Sequence, residues 1–245
     1  MGNIQFFNEL ARRKILSNAR MASLDFGVYD RTFADIDRKI EFLPGDVVLD
    51  LGGGTGQISG LIAGKAGRVV LADGAGEALR AAREILADLP NLSFVHLNIE
   101  QSPLVFANSA FDKIICYSVV HYLKDQSSFA ALISEMLRIV KSEGKIFIGD
   151  IPLSDKGKRY LDERKKHFFQ NLLGNLKYYF RKFLTAFFYR LKGIRDTQVS
   201  GVVYSKDGME EVLSRIGGIN YRFLEQDASL PFANSREDLL IIKKQ

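Results

Sequence analysis

Residues 47–57 read Val47-Val48-Leu49-Asp50-Leu51-Gly52-Gly53-Gly54-Thr55-Gly56-Gln57, and the fold follows from how this stretch changes character. Val47–Leu51 is apolar apart from Asp50, the near-continuous run expected of a strand buried on both faces. The glycines that follow allow a tight turn in which the backbone can approach a ligand with no Cβ in the way. Gln57-Ile58-Ser59-Gly60-Leu61-Ile62 then begins a helix. Strand, glycine turn and helix in succession form the opening unit of a nucleotide-binding α/β domain. The spacing excludes two kinds of loop. A G-x-G-x-x-G loop counted from Gly52 needs a glycine at Gln57, and a phosphate loop needs Gly-Lys-Ser/Thr, for which no lysine is near. What stands instead is Asp50-x-Gly52-x-Gly54-x-Gly56.

That pattern resembles motif I of the class I S-adenosylmethionine (AdoMet) methyltransferases. The resemblance implies a Rossmann-like, doubly wound, seven-stranded and mostly parallel sheet. It also implies AdoMet as cofactor and S-adenosylhomocysteine as product. Asp50, Gly52, Gly53, Gly54, Thr55, Gly56 and Gln57 would cup the amino-acid end of the cofactor. A second strand, Arg68–Ala72, ends at Asp73-Gly74, and Asp73 lies 23 positions after Asp50. That is near the roughly 20-residue spacing of an acid that accepts hydrogen bonds from ribose hydroxyls. The same carboxylate also suits the N-cap of a helix over 77–89.

A third strand, Leu92–Leu97, leads to Asn98-Ile99-Glu100. The family usually has an acid at the position of Asn98; the amide oxygen there can still accept from the adenine amine. Phe111–Ser118 is the fourth strand, and Phe111-Asp112 through Ser118, His121-Tyr122-Leu123 and Asp125 again resemble small-molecule methyltransferases. Tyr117 and Ser118 join the expected cofactor contacts. Lys141–Lys145 reads as a turn before a fifth strand, Ile146–Gly149, closed by Asp150-Ile151-Pro152. Met209–Ile216 is an expected helix, and Tyr221–Leu224 with Asp238–Ile242 an expected antiparallel hairpin. An aminopropyl transferase shares the Gly-Gly-Gly-x-Gly loop but carries an acid pair where Tyr117-Ser118 stands.

The chain divides into an N-terminal helical cap (1–44), an AdoMet-binding core (45–152), a basic aromatic helical insertion (153–202) and a C-terminal completion of the core (203–245). In the cap, the resemblance implies a residue over the cofactor pocket at about the distance of Tyr29. The net charge of +5 is unevenly spread. Residues 156–195 hold twelve Lys/Arg against Asp162 and Glu163, or +10, which leaves −5 for the rest. Within the insertion, Phe180, Phe183, Leu184, Phe187, Phe188 and Leu191 recur at helical spacing beside Arg181, Lys182 and Arg190. Three readings stay open: a substrate lid, a helix lying on a membrane surface through 177–192, and RNA binding. No Asn-Pro-Pro-Tyr motif of base methylation occurs, so nucleic acid is not the expected partner.

The single cysteine, Cys116, excludes an internal disulfide and a Cys-based metal cluster. Three scattered histidines supply no metal-ligand spacing, and no metal is expected. No secretion signal or membrane-spanning run is evident, so the expected location is cytoplasmic, with membrane association if 177–192 lies on lipid. The expected reaction is methyl transfer to a small-molecule acceptor at a hydroxyl, with an amphiphilic or lipid-linked acceptor among the options. Its candidate bases are His121, after strand four, and Asp150, after strand five. A non-catalytic AdoMet-binding or membrane-surface scaffold is the alternative.

Overall fold

The computed structural model describes residues 3–12, 27–156, 158 and 202–245. Two N-terminal helices, α1 (Asn3–Arg12) and α2 (Val28–Ile40), precede β1 (Val47–Leu51), α3 (Gln57–Ala63), β2 (Arg68–Asp73), α4 (Gly76–Ile85) and β3 (Leu92–His96). Next come β4 (Phe111–Tyr117), a one-turn 3₁₀ helix (Val120–Tyr122), α5 (Gln126–Ile139) and β5 (Val140–Pro152). The chain ends with α6 (Lys206–Ser214), β6 (Ile219–Glu225) and β7 (Arg236–Lys243).

The seven strands form one sheet in the order β3-β2-β1-β4-β5-β7-β6. Strands β1 to β5 pair in parallel, and β7 is antiparallel to both β5 and β6. The reversal of strand order at β1/β4 opens a crevice at the carboxyl ends of the strands, where open α/β sheets bind ligands.

Both faces of the sheet are covered, which is why the strands read as unbroken apolar runs. Alternate residues go to opposite layers. Leu49, Ile114, Cys116, Ile146, Ile148, Leu239 and Ile241 pack with α5 and α6. Val48, Ile115, Phe147 and Leu240 pack with Ile36, Ile40 and Ile62 of α2 and α3. Helix α5 starts where Asp125 accepts from the Ser128 N–H at 2.8 Å, and α6 where Ser205 accepts from the Gly208 N–H at 3.1 Å. Both are side-chain caps that satisfy otherwise unpaired helix donors.

Several sequence expectations shift. The turn expected over 141–145 lies inside β5 as a wide bulge, since Phe111 pairs with Val140 but Lys113 pairs with Lys145. Glu143 takes φ 61° there, and a Cβ on Gly144 would come within 2.9 Å of the Asp112 carbonyl. Pairing with β4 resumes at Lys145 beyond the looped-out residues. Helix α4 ends at Ile85 rather than running to 89. The expected basic helix 177–192, and nearly all of the insertion 153–202, lie outside the described residues. Among the described residues no helix is long and apolar enough to cross a membrane.

A buried ion cluster docks α2 on the sheet. Lys39 Nζ lies 2.6 Å from Asp35 Oδ2 and 2.6 Å from Asp238 Oδ2, and Asp238 is fully buried in β7. Burial raises the Asp238 carboxyl, against the lowering pull of Lys39. Substituting Lys39→Met leaves the buried Asp238 carboxylate without its cation and Asp35 with Arg38 alone. The expected loss is about 3–5 kcal/mol of unfolding free energy in denaturant melts, partly recovered by adding Asp238→Asn. Unchanged stability in the single variant would refute the role given to this lysine.

Candidate functional site

The glycine loop owes its shape to positive backbone angles. Gly52, Gly54 and Gly56 have φ of 82°, 58° and 82°, a region that other residues enter only under strain. Gly53 is constrained by space instead. A Cβ there would sit 2.7 Å from Asp50 Oδ2 and 2.9 Å from Leu71. Asp50 thus lies under the loop, 3% exposed, accepting from the Ser59 hydroxyl at 2.5 Å. Thr55 Oγ1 donates to Gln57 Oε1 at 2.8 Å and closes the loop onto the first turn of α3.

Asp73 joins this loop to the next crossover. Its Oδ2 accepts from the Gly54 N–H at 2.8 Å and its Oδ1 from the Ala75 N–H at 2.7 Å. Asp73 does not cap α4, whose N-cap is Ala75 and has no side-chain cap bond. The carboxylate tethers two backbone loops across the sheet edge, with lone pairs left for a ligand. Burial raises the Asp73 carboxyl, partly offset by those two N–H bonds. Asp50 is pushed up to about 6, by burial first and then by the neighbouring Asp73 charge.

Above the loop lies a cavity of about 390 Å³, a size typical of small-molecule sites. One wall holds Gly52, Gly54, Thr55, Asp73 and Gly74, and another Asn98, Ile99, Glu100 and Ser118. The remaining wall is α1. Ile4, Phe7 and Leu10 face the cavity beside Val119, Tyr122 and Leu123, with Asn3 and Gln5 at one end. Helix α1 is held by Asn3 Nδ2 donating to the Tyr122 carbonyl at 3.0 Å. It is also held by Asn8 Oδ1 accepting from the Glu77 N–H at 2.9 Å and by edge-on packing of Phe7 on Tyr122.

The expected cofactor contacts therefore divide. Gly52, Gly54, Thr55, Asp73, Gly74, Asn98, Ile99, Glu100 and Ser118 converge on the cavity, while Asp50, Gly53, Gly56 and Gln57 shape the loop beneath it. Asn98 Oδ1 accepts from the Glu100 N–H at 3.0 Å and stiffens that corner. Tyr117 and Tyr29 are not on the cavity wall. The Tyr117 ring lies across Gly149, and Tyr29 sits on α2, which packs on the face of the sheet with α3. The cover comes from α1, whose apolar spacing Ile4, Phe7, Leu10 was the available signal. His121 and Asp150 are off the wall as well. His121 is 3% exposed, its ring 4.1 Å from that of Tyr122 and its carbonyl accepting from the Val202 N–H at 2.7 Å. Asp150 reaches the cavity through Ser118, whose hydroxyl donates to Asp150 Oδ2 at 2.8 Å.

Asp73 and Glu100 are the charged residues of the cavity wall among those described. An acidic cradle, with glycines at the loop and no cation among the described residues of its wall, disfavours phosphates and suits a nucleoside with a positive centre. AdoMet meets these terms: its sulfonium is positive and it carries no phosphate.

Comparison with known proteins agrees. Residues 48–144 match the family described as "Methyltransferase domain". The chain is 36% identical over 111 residues to the ubiquinone/menaquinone biosynthesis C-methyltransferase UbiE of Shewanella pealeana, a match covering 43% of this chain and 42% of that protein. The match thus spans less than half the length of this relative. Among solved structures, the SAM-dependent methyltransferase LMAJ004091AAA of Leishmania major superposes with TM-score 0.66 at 15% identity. That superposition covers 99% of this chain and 87% of the other. N-methyltransferase NodS of Bradyrhizobium japonicum, solved with S-adenosyl-L-homocysteine, gives TM-score 0.60 at 14% identity over 97% and 98% of the two chains. At such identities the superpositions speak for the fold.

The raised Asp50 carboxyl has a testable consequence. Its folded-state proton affinity exceeds that of the unfolded chain, so its contribution to stability is present at low pH and is lost as pH rises toward about 6. Asp50→Asn, which still accepts from Ser59, is expected to gain on the native protein between pH 4 and pH 7. The difference should approach about 3 kcal/mol in melts followed across that range.

Proposed function

We propose that this chain, a class I AdoMet-dependent methyltransferase by its domain and fold, transfers a methyl group from AdoMet to a hydroxyl-bearing, amphiphilic small molecule. The observation that carries the reading is the position of the Asp73 carboxylate. It is pinned between the Gly54 and Ala75 N–H groups, at the rim of a cavity roofed by α1. Asp73 would hold the ribose, the Gly52–Gly56 backbone the amino-acid end, and Asn98 to Glu100 the adenine. AdoMet supplies an electrophilic methyl group. The protein's task is then to align the acceptor and exclude water.

The acceptor class rests on the apolar wall. Ile4, Phe7, Leu10, Tyr122 and Leu123 offer an apolar or aromatic molecule a surface to bury. Asn3, Gln5 and Ser118 are among the polar groups of the same cavity. The UbiE relatives are named as C-methyltransferases, so a carbon made nucleophilic by an ionised ring hydroxyl is an alternative landing point for the methyl group.

Calorimetry with AdoMet and S-adenosylhomocysteine tests the cofactor, with Asp73→Ala as control. Loss of a charge-assisted hydrogen-bond acceptor should weaken both ligands at least tenfold. Equal affinity in the variant would overturn the assignment. Incubation with methyl-labelled AdoMet and alkyl hydroquinones, catechol or alkyl phenols should place label in the organic phase. Binding without transfer to any of them would favour a non-catalytic AdoMet-binding protein.

A further inference from the structure

We propose that Ser118 and Asp150 form a proton-accepting pair for the acceptor hydroxyl, with Ser118 touching the acceptor and Asp150 acting through Ser118. This rests on the methyltransferase reading of the cavity. Ser118 ends β4 and lines the cavity. Asp150 sits in a bulge of β5: Ile148 pairs with Leu239 and Ile151 with Glu237, so three steps along β5 face two along β7. Both residues have φ of 60°. Two non-glycine residues in this region, on adjacent strand ends, persist only where the surroundings enforce them, and such strain gathers at functional sites. Bulges beside active sites re-aim side chains. Here the bulge brings the Asp150 carboxylate to the Ser118 hydroxyl at 2.8 Å.

Asp150 is held from three sides. Its N–H donates to Asp238 Oδ1 at 2.9 Å, its carbonyl accepts from Arg236 Nη1 at 2.9 Å, and its Oδ1 lies 3.8 Å from Arg236 Nε. The hydrogen of Ser118 is committed to Asp150, so the hydroxyl offers the cavity its lone pairs. An acceptor O–H can therefore donate to Ser118 Oγ. As the reaction proceeds, that proton passes to Ser118 and the proton of Ser118 passes to Asp150 Oδ2. The acceptor oxygen forms its bond to the methyl carbon as the carbon–sulfur bond breaks, and that electron pair stays on sulfur. One carboxylate is protonated for each sulfonium charge lost, so the balance closes with no further reactant.

Among the described residues, the charged and titratable groups facing Asp150 include Arg236 and Asp238 of β7 and Tyr117 of β4, with Lys39 of α2 countering Asp238. Burial, reinforced by the Asp150 and Asp238 charges, pushes the Tyr117 phenol well above its ordinary value, so it keeps its proton and does not compete as a base.

The test compares the native protein with Asp150→Asn, Ser118→Ala and Ser118→Gly. Asparagine tolerates the positive φ and can donate to Ser118, so it preserves the contact but cannot take a proton. Glycine relaxes the backbone at 118 while removing the hydroxyl. S-adenosylhomocysteine affinity by calorimetry and melting temperature are read first, then label transfer to alkyl hydroquinone across pH 5–9. The expected result is transfer slowed 100-fold or more in all three variants at saturating AdoMet, with cofactor-product affinity within threefold of native for Asp150→Asn. The native rate should rise with pH to a plateau, and this rise should be absent in Asp150→Asn. Transfer within threefold of native, or an Asp150→Asn profile that keeps the native pH dependence, overturns the pair. A native protein that binds neither AdoMet nor its product overturns the reading of the cavity, and the pair with it.

Discussion

The Asp73 carboxylate is the point on which the site depends. It is a half-buried anion whose oxygens are each used by a backbone N–H, one from the glycine loop after β1 and one from the crossover after β2. Those bonds fix the distance between two loops that sequence alone places 19 residues apart. They also offset part of the cost of burying the charge. A second acid, the buried Asp50, lies beneath the same loop, so this corner carries stacked negative potential before any ligand arrives. A ligand with a positive centre relieves it and an anionic one aggravates it.

A second network connects the opposite layer of the molecule to the cavity. Lys39 of α2 joins Asp35 to Asp238, Asp238 accepts from the Asp150 backbone and from Gln226, and Asp150 accepts from Ser118. Each member is buried or nearly so and each has a partner, the condition under which buried polar groups specify one arrangement. The chain thereby holds the ends of β4 and β5 in left-handed conformations that the backbone would otherwise avoid. Rigidity at the cavity floor is set partly by a helix that does not touch the cavity.

Much of this was legible along the chain. Val48, Leu49, Asp50 and Leu51 are all buried, as their unbroken run implies for a strand covered on both faces, and the glycine spacing marked the loop. Asp73, Asn98 and Ser118 were recognisable because each ends a strand in a parallel sheet, and strand ends share one edge. Less legible was the role of α1. Tyr29 and the helix α2 were as apolar and as near in sequence. Only the packing of α1 on α4, against α2 on α3, decides which of them roofs the cavity. The bulge at Asp150 was equally hidden, since it arises from a mismatch in step between β5 and its antiparallel neighbour β7, a relation between distant segments.

What the sequence determined by itself is local: where strands begin, where the chain must turn, and which residue types stand at the turn. These rest on backbone sterics and hydrophobic period, which need no partner. Which side chains meet was left to the tertiary structure. Only there do His121 and Asp150 leave the cavity wall, Ser118 become the contact between Asp150 and the cavity, and three apolar residues of α1 come over the loop. The physical reason is that burial and register are properties of pairs of elements, and a single stretch carries half of each pair.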